Sequence, residues 1–361
     1  MSDRTAVPQG AGAHDPPGRA SRPLLRVERL CKFFPIFSRG FFRRQVGVIR
    51  ACNDVSFELM PGQTLGLVGE SGSGKTTTAR AILRAIRPTS GHVWFDVDGR
   101  VIDLATVSDR QLKPLRQRMQ MIFQDPISSL NPRMTVAQIV GEPLRIHRLA
   151  SGSELDERVV EMLEKVGIRA ELRNRYPHAF SGGQRQRIGI ARALIMRPSL
   201  VVCDEPVSAL DMSVQAQVIN LLSDLQDELG LTYIFIAHDL GVVRHICDRV
   251  AVMYAGRIVE LADTDELFES PKHPYTKALL SAVPHPDPDI PMKFDLAGEV
   301  ADLGNLPGGC AFHPRCPNCH DRCRIDRPEL LPSGSRLVAC HLHRAAQSRA
   351  DHEPTPAAGA G

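Results

Sequence analysis

Apolar positions along the chain fall into two periods. Short, nearly unbroken apolar runs predict buried strands over Thr64–Val68, Gln120–Phe123, Leu200–Cys203 and Tyr233–Ala237. Between them, apolar residues return at helical spacing over Thr76–Ile86, Leu155–Val166, Gln184–Met196 and Val214–Leu229. Strand followed by helix, repeated, is the pattern of an α/β fold with a parallel sheet and crossover helices. A weaker strand-rich stretch precedes it, over Leu25–Arg29, Gly47–Ala51, Val55–Leu59 and Gly91–Asp96. Asp263–Glu269 and Tyr275–Val283 read as a helical bridge. Pro284, Pro286, Pro288 and Pro291 then mark a linker. Residues 292–344 read as loop-like, residues 1–22 as a disordered arm and residues 345–361 as a disordered tail. No repeat of solenoid length is present.

The chain has 361 residues, which fits one large and one small domain at about 100–200 residues each. Apolar residues make up 43%, enough for a real core, and the net charge is +3. That near balance argues against a general binder of nucleic acid or anionic membrane. No apolar run approaches the roughly 18 residues a spanning helix needs. Met1–Arg22 lacks the apolar stretch of a secretory signal, so a cytoplasmic chain with reduced or metal-bound cysteines is expected.

Candidate chemistry starts at Gly69-Glu70-Ser71-Gly72-Ser73-Gly74-Lys75-Thr76, which fits the phosphate-binding pattern between a predicted strand and a predicted helix. Its glycines let backbone N–H groups turn around phosphate oxygens at a helix N-terminus. Lys75 supplies charge to the β- and γ-phosphates, and the Thr76 hydroxyl is a hard ligand for Mg²⁺. Leu200–Glu205 is a buried strand ending in two carboxylates. Asp204 is placed to hold Mg²⁺ and Glu205 to act as general base toward water. Alone, the pair would read as an ordinary acidic strand end; beside the phosphate loop it does not.

Phe180-Ser181-Gly182-Gly183-Gln184 opens a predicted helix and offers a second anion-binding cup, although in isolation it reads as a serine N-cap. Gln124 follows a strand and could reach Mg²⁺ or the attacking water. Ser208-Ala209-Leu210-Asp211 would lie at a dimer seam, and His238 could touch the γ-phosphate.

In this order, these motifs resemble the nucleotide-binding domain of ATP-binding cassette (ABC) proteins, over about residues 24–265. The resemblance implies a P-loop NTPase cassette: a mixed, mainly parallel sheet core, an antiparallel β subdomain and a helical subdomain. It implies ATP and Mg²⁺, with catalytic Glu205, His238 and Gln124. Gly69, Ser71, Gly72, Gly74, Lys75, Thr76, Thr77, Gln124, Asp204, Ser181, Gly182, Gly183, Gln184 and Asp211 would bind nucleotide, and Thr76, Gln124 and Asp204 would surround the metal. It further implies a head-to-tail dimer in which Ser181 and Gly183 of one subunit close on phosphates held by Lys75 of the other. Phe34 would stack on adenine; a core aromatic at a strand end is the equal alternative.

A finer likeness, through about residue 343, is to the ATPase subunits of bacterial oligopeptide and dipeptide importers. It rests on Phe123-Gln124-Asp125-Pro126 with Ser129-Leu130-Asn131-Pro132-Arg133, and on Glu205–Asp211 with Ser213-Val214-Gln215-Ala216-Gln217. His273-Pro274-Tyr275-Thr276 and the cysteine-rich stretch from Cys310 to His341 complete it. Residues 266–344 would then be that family's C-terminal region. Implied partners are two integral-membrane permease subunits, a second ATPase subunit (a paralogue or a second copy) and, indirectly, a solute-binding protein. No nucleic acid is implied, and the location would be peripheral, on the cytoplasmic face of the inner membrane. Related importers carry nickel, glutathione or sugars, so cargo stays open. The region 134–177 resembles the part of cassettes that receives a membrane subunit's coupling helix. A soluble cassette acting on DNA or ribosomes is disfavoured by the single cassette and the absence of heptads, and an exporter by the C-terminal region.

Phe37–Arg44 mixes aromatics with arginine and reads as a solvated hairpin excursion rather than a membrane contact. Five of the nine cysteines crowd the tail: Cys310, Cys316, Cys319, Cys323 and Cys340. Four of them, Cys310, Cys316, Cys323 and Cys340, match a family pattern that in some relatives holds a [4Fe-4S] cluster; Cys319 is extra. A Cys/His zinc site and packed, reduced thiols remain open beside it. Cys31, Cys52, Cys203 and Cys247 read as small core residues.

Overall fold

The computed structural model describes residues 22–38, 44–125, 129–282 and 301–343. The expected arm up to residue 21, the tail, the proline linker and the tip of the Phe37–Arg44 excursion lie outside them.

Twelve strands among these residues form two sheets. The larger contains β3 (Thr64–Val68), β6 (Met119–Ile122), β7 (Leu200–Asp204), β8 (Thr232–Ile236), β9 (Arg249–Tyr254), β10 (Arg257–Asp263), β11 (Leu331–Ser333) and β12 (Arg336–Val338). Its order is β11-β12-β10-β9-β3-β8-β7-β6. The pairs β9/β3, β3/β8, β8/β7 and β7/β6 are parallel, and the β10, β12 and β11 end is antiparallel. A second, antiparallel sheet has the order β2-β1-β4-β5, from β1 (Leu25–Phe37), β2 (Gln45–Leu59), β4 (Ser90–Val97) and β5 (Arg100–Asp103).

The central strands are buried on both faces, which is why they read as continuous apolar runs. Successive side chains supply two cores. Val201, Cys203, Tyr233 and Phe235 face a core built with the helices Val136–His147, Gly152–Lys165, Gly182–Leu194 and Met212–Leu229. Leu200, Val202, Ile234 and Ile236 face the other, with Leu25, Val55, Phe57, Val93 and Phe95 of the antiparallel sheet. The loops that carry Lys75, Gln124, Glu205 and His238 leave the sheet at the C-terminal ends of β3, β6, β7 and β8, where ligands of open α/β sheets bind.

Four expectations change. The strands expected over Gly47–Ala51 and Val55–Leu59 are one, β2. The helix expected over Thr76–Ile86 is Lys75–Ile82, because Arg84 turns left-handed at φ 54° and its guanidinium donates to the Leu104 and Val107 carbonyls. The tail is not wholly loop-like: β11 and β12, three residues each around Gly334, extend the main sheet on β10. Cys31, on β1 opposite Ser90, is only half-buried, whereas Cys52, Cys203 and Cys247 are buried.

Candidate active site

β3 runs into the phosphate loop, and backbone sterics make two of its glycines obligatory. Gly69 has φ +146°, and a Cβ there would lie 2.2 Å from the Met253 carbonyl oxygen. Gly74 has φ +101°, and a Cβ would lie 2.0 Å from the Ala51 carbonyl oxygen. Gly74 also caps the helix that begins at Lys75. Ser71 and Gly72 are exposed on the loop, and Thr77 is half-buried in the first helical turn.

Lys75 is 6% exposed. Its ammonium donates to the carbonyl oxygens of Gly69 at 2.7 Å and Glu70 at 3.0 Å. Burial pulls its pKa down, while the charges of Glu205, Asp204 and Glu70 push it back up. The Thr76 hydroxyl donates to Asp204 Oδ1 at 2.8 Å. Asp204 is 3% exposed, and burial raises its carboxyl pKa against the Thr76 hydrogen bond and the Arg80 charge. Two hard oxygen donors at hydrogen-bond distance, beside a buried lysine, fit a magnesium–phosphate site. Ser73 Oγ is buried there with no hydrogen-bond partner among the described residues.

Asp204 ends β7, and the chain then turns sharply, with Glu205 at φ 48°. Its N–H is held by the Ile236 carbonyl and its C=O by the N–H and hydroxyl of Ser208. A left-handed non-glycine residue is strained by about 1–3 kcal/mol and persists only where its surroundings impose it. The turn swings the Glu205 carboxylate toward the ends of β6 and β8. Gln124 Nε2 donates to Glu205 Oε2 at 2.8 Å, and His238 Nδ1 lies 3.3 Å from the same oxygen. A carboxylate flanked by an amide and an imidazole can accept a proton from water and hand it on.

The other candidates lie elsewhere in the chain. Ser181 Oγ accepts from the Gln184 N–H at 3.3 Å, and Gln184 Oε1 accepts from the Ser181 N–H at 3.0 Å. Within one chain these groups serve as a capping box. Gly183 lets that helix approach the next, since a Cβ would lie 2.5 Å from Val214 Cγ1. Asp211, exposed, heads the helix Met212–Leu229. Phe34 is 37% exposed, so it is not a core aromatic; the Lys32 ammonium lies 4.9 Å from its ring centroid.

In the tail, burial pushes the Cys310 thiol up to about 11 and raises Cys316 and Cys340 as well. Among the described residues, no three His, Cys, Asp or Glu side chains are grouped so as to hold a metal ion. The charges of Cys323, Cys340 and Cys316 are felt at Cys310, so the four thiols of the family pattern lie near one another without forming a closed ligand set.

Contacts without a sequence signal also reach the site. Arg315, from the tail, pairs with Glu70 of the phosphate loop, and Tyr275 Oη accepts the Glu70 N–H. All three residues lay in stretches noted from sequence, but nothing in the sequence paired them.

A family model described as ABC transporter matches residues 52–208, and one described as Oligopeptide/dipeptide transporter, C-terminal region, matches residues 259–323. A probable peptide ABC transporter ATP-binding protein of Sinorhizobium fredii is 54% identical over 324 residues, 89% of this chain and 90% of its own. The oligopeptide transport ATP-binding protein AppF of Bacillus subtilis is 49% identical over 325 residues, 89% of this chain and 97% of its own. The chain belongs to the ABC transporter family. Among solved structures of ABC cassettes, a dimeric post-hydrolysis state of MJ0796 bound to ADP and Pi superposes with a TM-score of 0.57 at 28% identity, over 66% of this chain and 98% of that one. CbiO1 of Clostridium perfringens superposes with a TM-score of 0.58 at 29% identity, over 69% and 91%. The ABC match covers the phosphate loop, Ser181–Gln184 and Asp204-Glu205, and the protein is an ATP-hydrolysing cassette. The ABC fold here is the mixed sheet with its antiparallel and helical flanks, as the motif order implied.

Proposed function

We propose that this cassette hydrolyses ATP on the loop 69–76 to power uptake of di- or oligopeptides through separate membrane subunits. The observation that carries the hydrolytic half is the meeting of Gln124 and His238 on Glu205, one residue from the Thr76–Asp204 pair. Glu205 takes the proton of the attacking water, Gln124 orients that water, and His238 faces the γ-phosphate. Lys75 and the loop N–H groups hold the phosphates. Thr76, Asp204 and Gln124 would hold Mg²⁺, which when bound neutralises phosphate charge. The exposed ring of Phe34 stacks on adenine.

Ser181, Gly182, Gly183, Gln184 and Asp211 act in a head-to-tail dimer, on the nucleotide of the opposing subunit. A paralogue or a second copy fills that role. Closure of the pair is the two-state step that drives the permeases. Among the described residues no helix is long and apolar enough to cross a membrane, which supports a peripheral subunit working with two permeases. The peptide cargo is supported by the names of the relatives and by the C-terminal match. A [4Fe-4S] cluster is not part of this reading: among the described residues no three His, Cys, Asp or Glu side chains are grouped so as to hold a metal ion.

The test is ATPase activity of the complex reconstituted with its permeases and binding protein. Stimulation by di- or oligopeptides supports the reading. Intact basal hydrolysis with no response to peptides moves the cargo to nickel, glutathione or another solute.

A further inference from the structure

Glu70 follows Gly69 inside the phosphate loop, yet its side chain is engaged by the C-terminal region. Arg315 Nη1 and Nη2 donate to its two carboxylate oxygens at 2.8 and 2.9 Å, a bidentate pair across 245 residues. The Arg315 side chain is 5% exposed. Its guanidinium lies 5.9 Å from the Tyr254 ring centroid and 6.0 Å from that of Phe312. Phe312 in turn packs against Tyr254, Tyr275 and His273, so the arginine sits in a built aromatic seat. Tyr275 Oη accepts the Glu70 N–H at 2.9 Å. The carbonyl of the same Glu70 accepts from Lys75 Nζ at 3.0 Å. One residue therefore connects the tail to the ammonium that faces phosphate.

The electrostatics give the contact a sign. A carboxylate on a loop that wraps a polyanion opposes binding, and the charge of Glu70 is felt at Lys75. The Arg315 guanidinium cancels that charge and holds the carboxylate in one place. We propose that Arg315, assisted by Tyr275, is a positioning residue of the ATP site: it neutralises and fixes Glu70, so that the C-terminal region sets the affinity of the phosphate loop for nucleoside triphosphate. This rests on the reading that the loop 69–76 holds ATP.

The experiment uses the full chain, a fluorescent ATP analogue displaced by ATP, and steady-state KM and kcat. Wild type that fails to bind ATP overturns the reading of the loop itself. With wild-type binding in hand, Arg315→Gln weakens ATP by about tenfold and raises KM more than it lowers kcat, because an uncompensated carboxylate then faces the phosphates. Glu70→Gln acts in the opposite direction and tightens ATP by about twofold or more. The double variant returns to within about threefold of wild type, as a charge-compensation cycle requires. Arg315→Lys, which keeps charge without the fork, falls between wild type and Arg315→Gln. A contact that only braces the structure would make both single variants weaker. Arg315→Gln binding within about twofold of wild type, or Glu70→Gln binding no more tightly than wild type, overturns the proposal. Should Arg315→Gln fail to fold, the sign of the Glu70→Gln change decides alone.

Discussion

Gln124 and Glu205, 81 residues apart, meet in a 2.8 Å hydrogen bond across the ends of β6 and β7. The bond points one carboxylate oxygen of Glu205 toward the position that His238 also reaches, at 3.3 Å. Glu205→Gln keeps the shape of this cluster and removes its capacity to take a proton. The expected result is a fall in kcat of about 100-fold or more. ATP binding is retained, because Lys75 and Thr76 are untouched. Phosphate release at saturating MgATP, alongside binding of a fluorescent ATP analogue, checks both halves. Retained turnover would remove Glu205 as the base.

The loop glycines separate two effects that a sequence motif merges. Gly74→Ala must place a methyl group 2.0 Å from the Ala51 carbonyl oxygen at φ +101°, so backbone has to move. Gly72→Ala takes a similar left-handed strain at φ +79° but meets nothing within 4 Å among the described residues. The first variant is expected to lose nucleotide binding and to melt much lower. The second costs about 1–2 kcal/mol of stability and leaves the loop closed. Melting temperatures with and without MgATP distinguish them; equal losses would mean the Ala51 contact yields easily.

Much of this site was legible because its chemistry needs contiguous residues. A phosphate cradle requires glycines, lysine and threonine in sequence between a strand and a helix, and Asp204-Glu205 closes an apolar strand. The Glu70–Arg315 pair was not legible, since an ion pair between distant segments leaves no periodic trace. The helix from Lys75 ends early for the same kind of reason: Arg84 reaches carbonyls 20 and 23 residues onward. β11 and β12 are too short to show an alternation. The β9–β10 hairpin carried a readable signal in Ala255-Gly256, masked because alanine takes the left-handed position, at φ 49°, where asparagine is usual.

His273 gives the fold an acid sensitivity whose direction is fixed. It is 1% exposed, and its Nδ1 accepts the Tyr275 N–H at 3.0 Å. Burial, with His343 nearby, holds its pKa down to about 3. An unfolded histidine titrates near 6.5, so between these values the unfolded chain binds the extra proton. Stability is therefore complete above about pH 6.5 and falls as the pH drops toward 3, by roughly 1.4 kcal/mol per unit once well below 6.5. His273→Asn keeps an acceptor for the Tyr275 N–H without the titration. Urea unfolding at pH 7.5 and 5.5 should show the wild type losing about 1 kcal/mol more than the variant. Equal losses would take His273 out of the pH response.

Arg336 fastens the β11–β12 hairpin to the cassette through a buried charge. It is 3% exposed and Glu260, its partner on β10, is fully buried; Arg336 Nη1 lies 3.2 Å from Glu260 Oε1. The guanidinium also donates to Glu266 Oε1 at 2.8 Å and to the Ser270 carbonyl at 2.6 Å. The N–H groups of Lys272 and His273 reach the same Glu260 carboxylate at 2.9 and 2.8 Å. Removing one partner of a buried pair costs about 3–5 kcal/mol, since the other charge is left without compensation. Arg336→Met is expected at the low end, because two backbone donors still serve Glu260. Glu260→Gln with Arg336→Met should cost less than the sum of the single changes, as it leaves no buried charge. Denaturant unfolding of the four proteins measures this coupling, and strict additivity would mean that the pair is independent in energy although close in space.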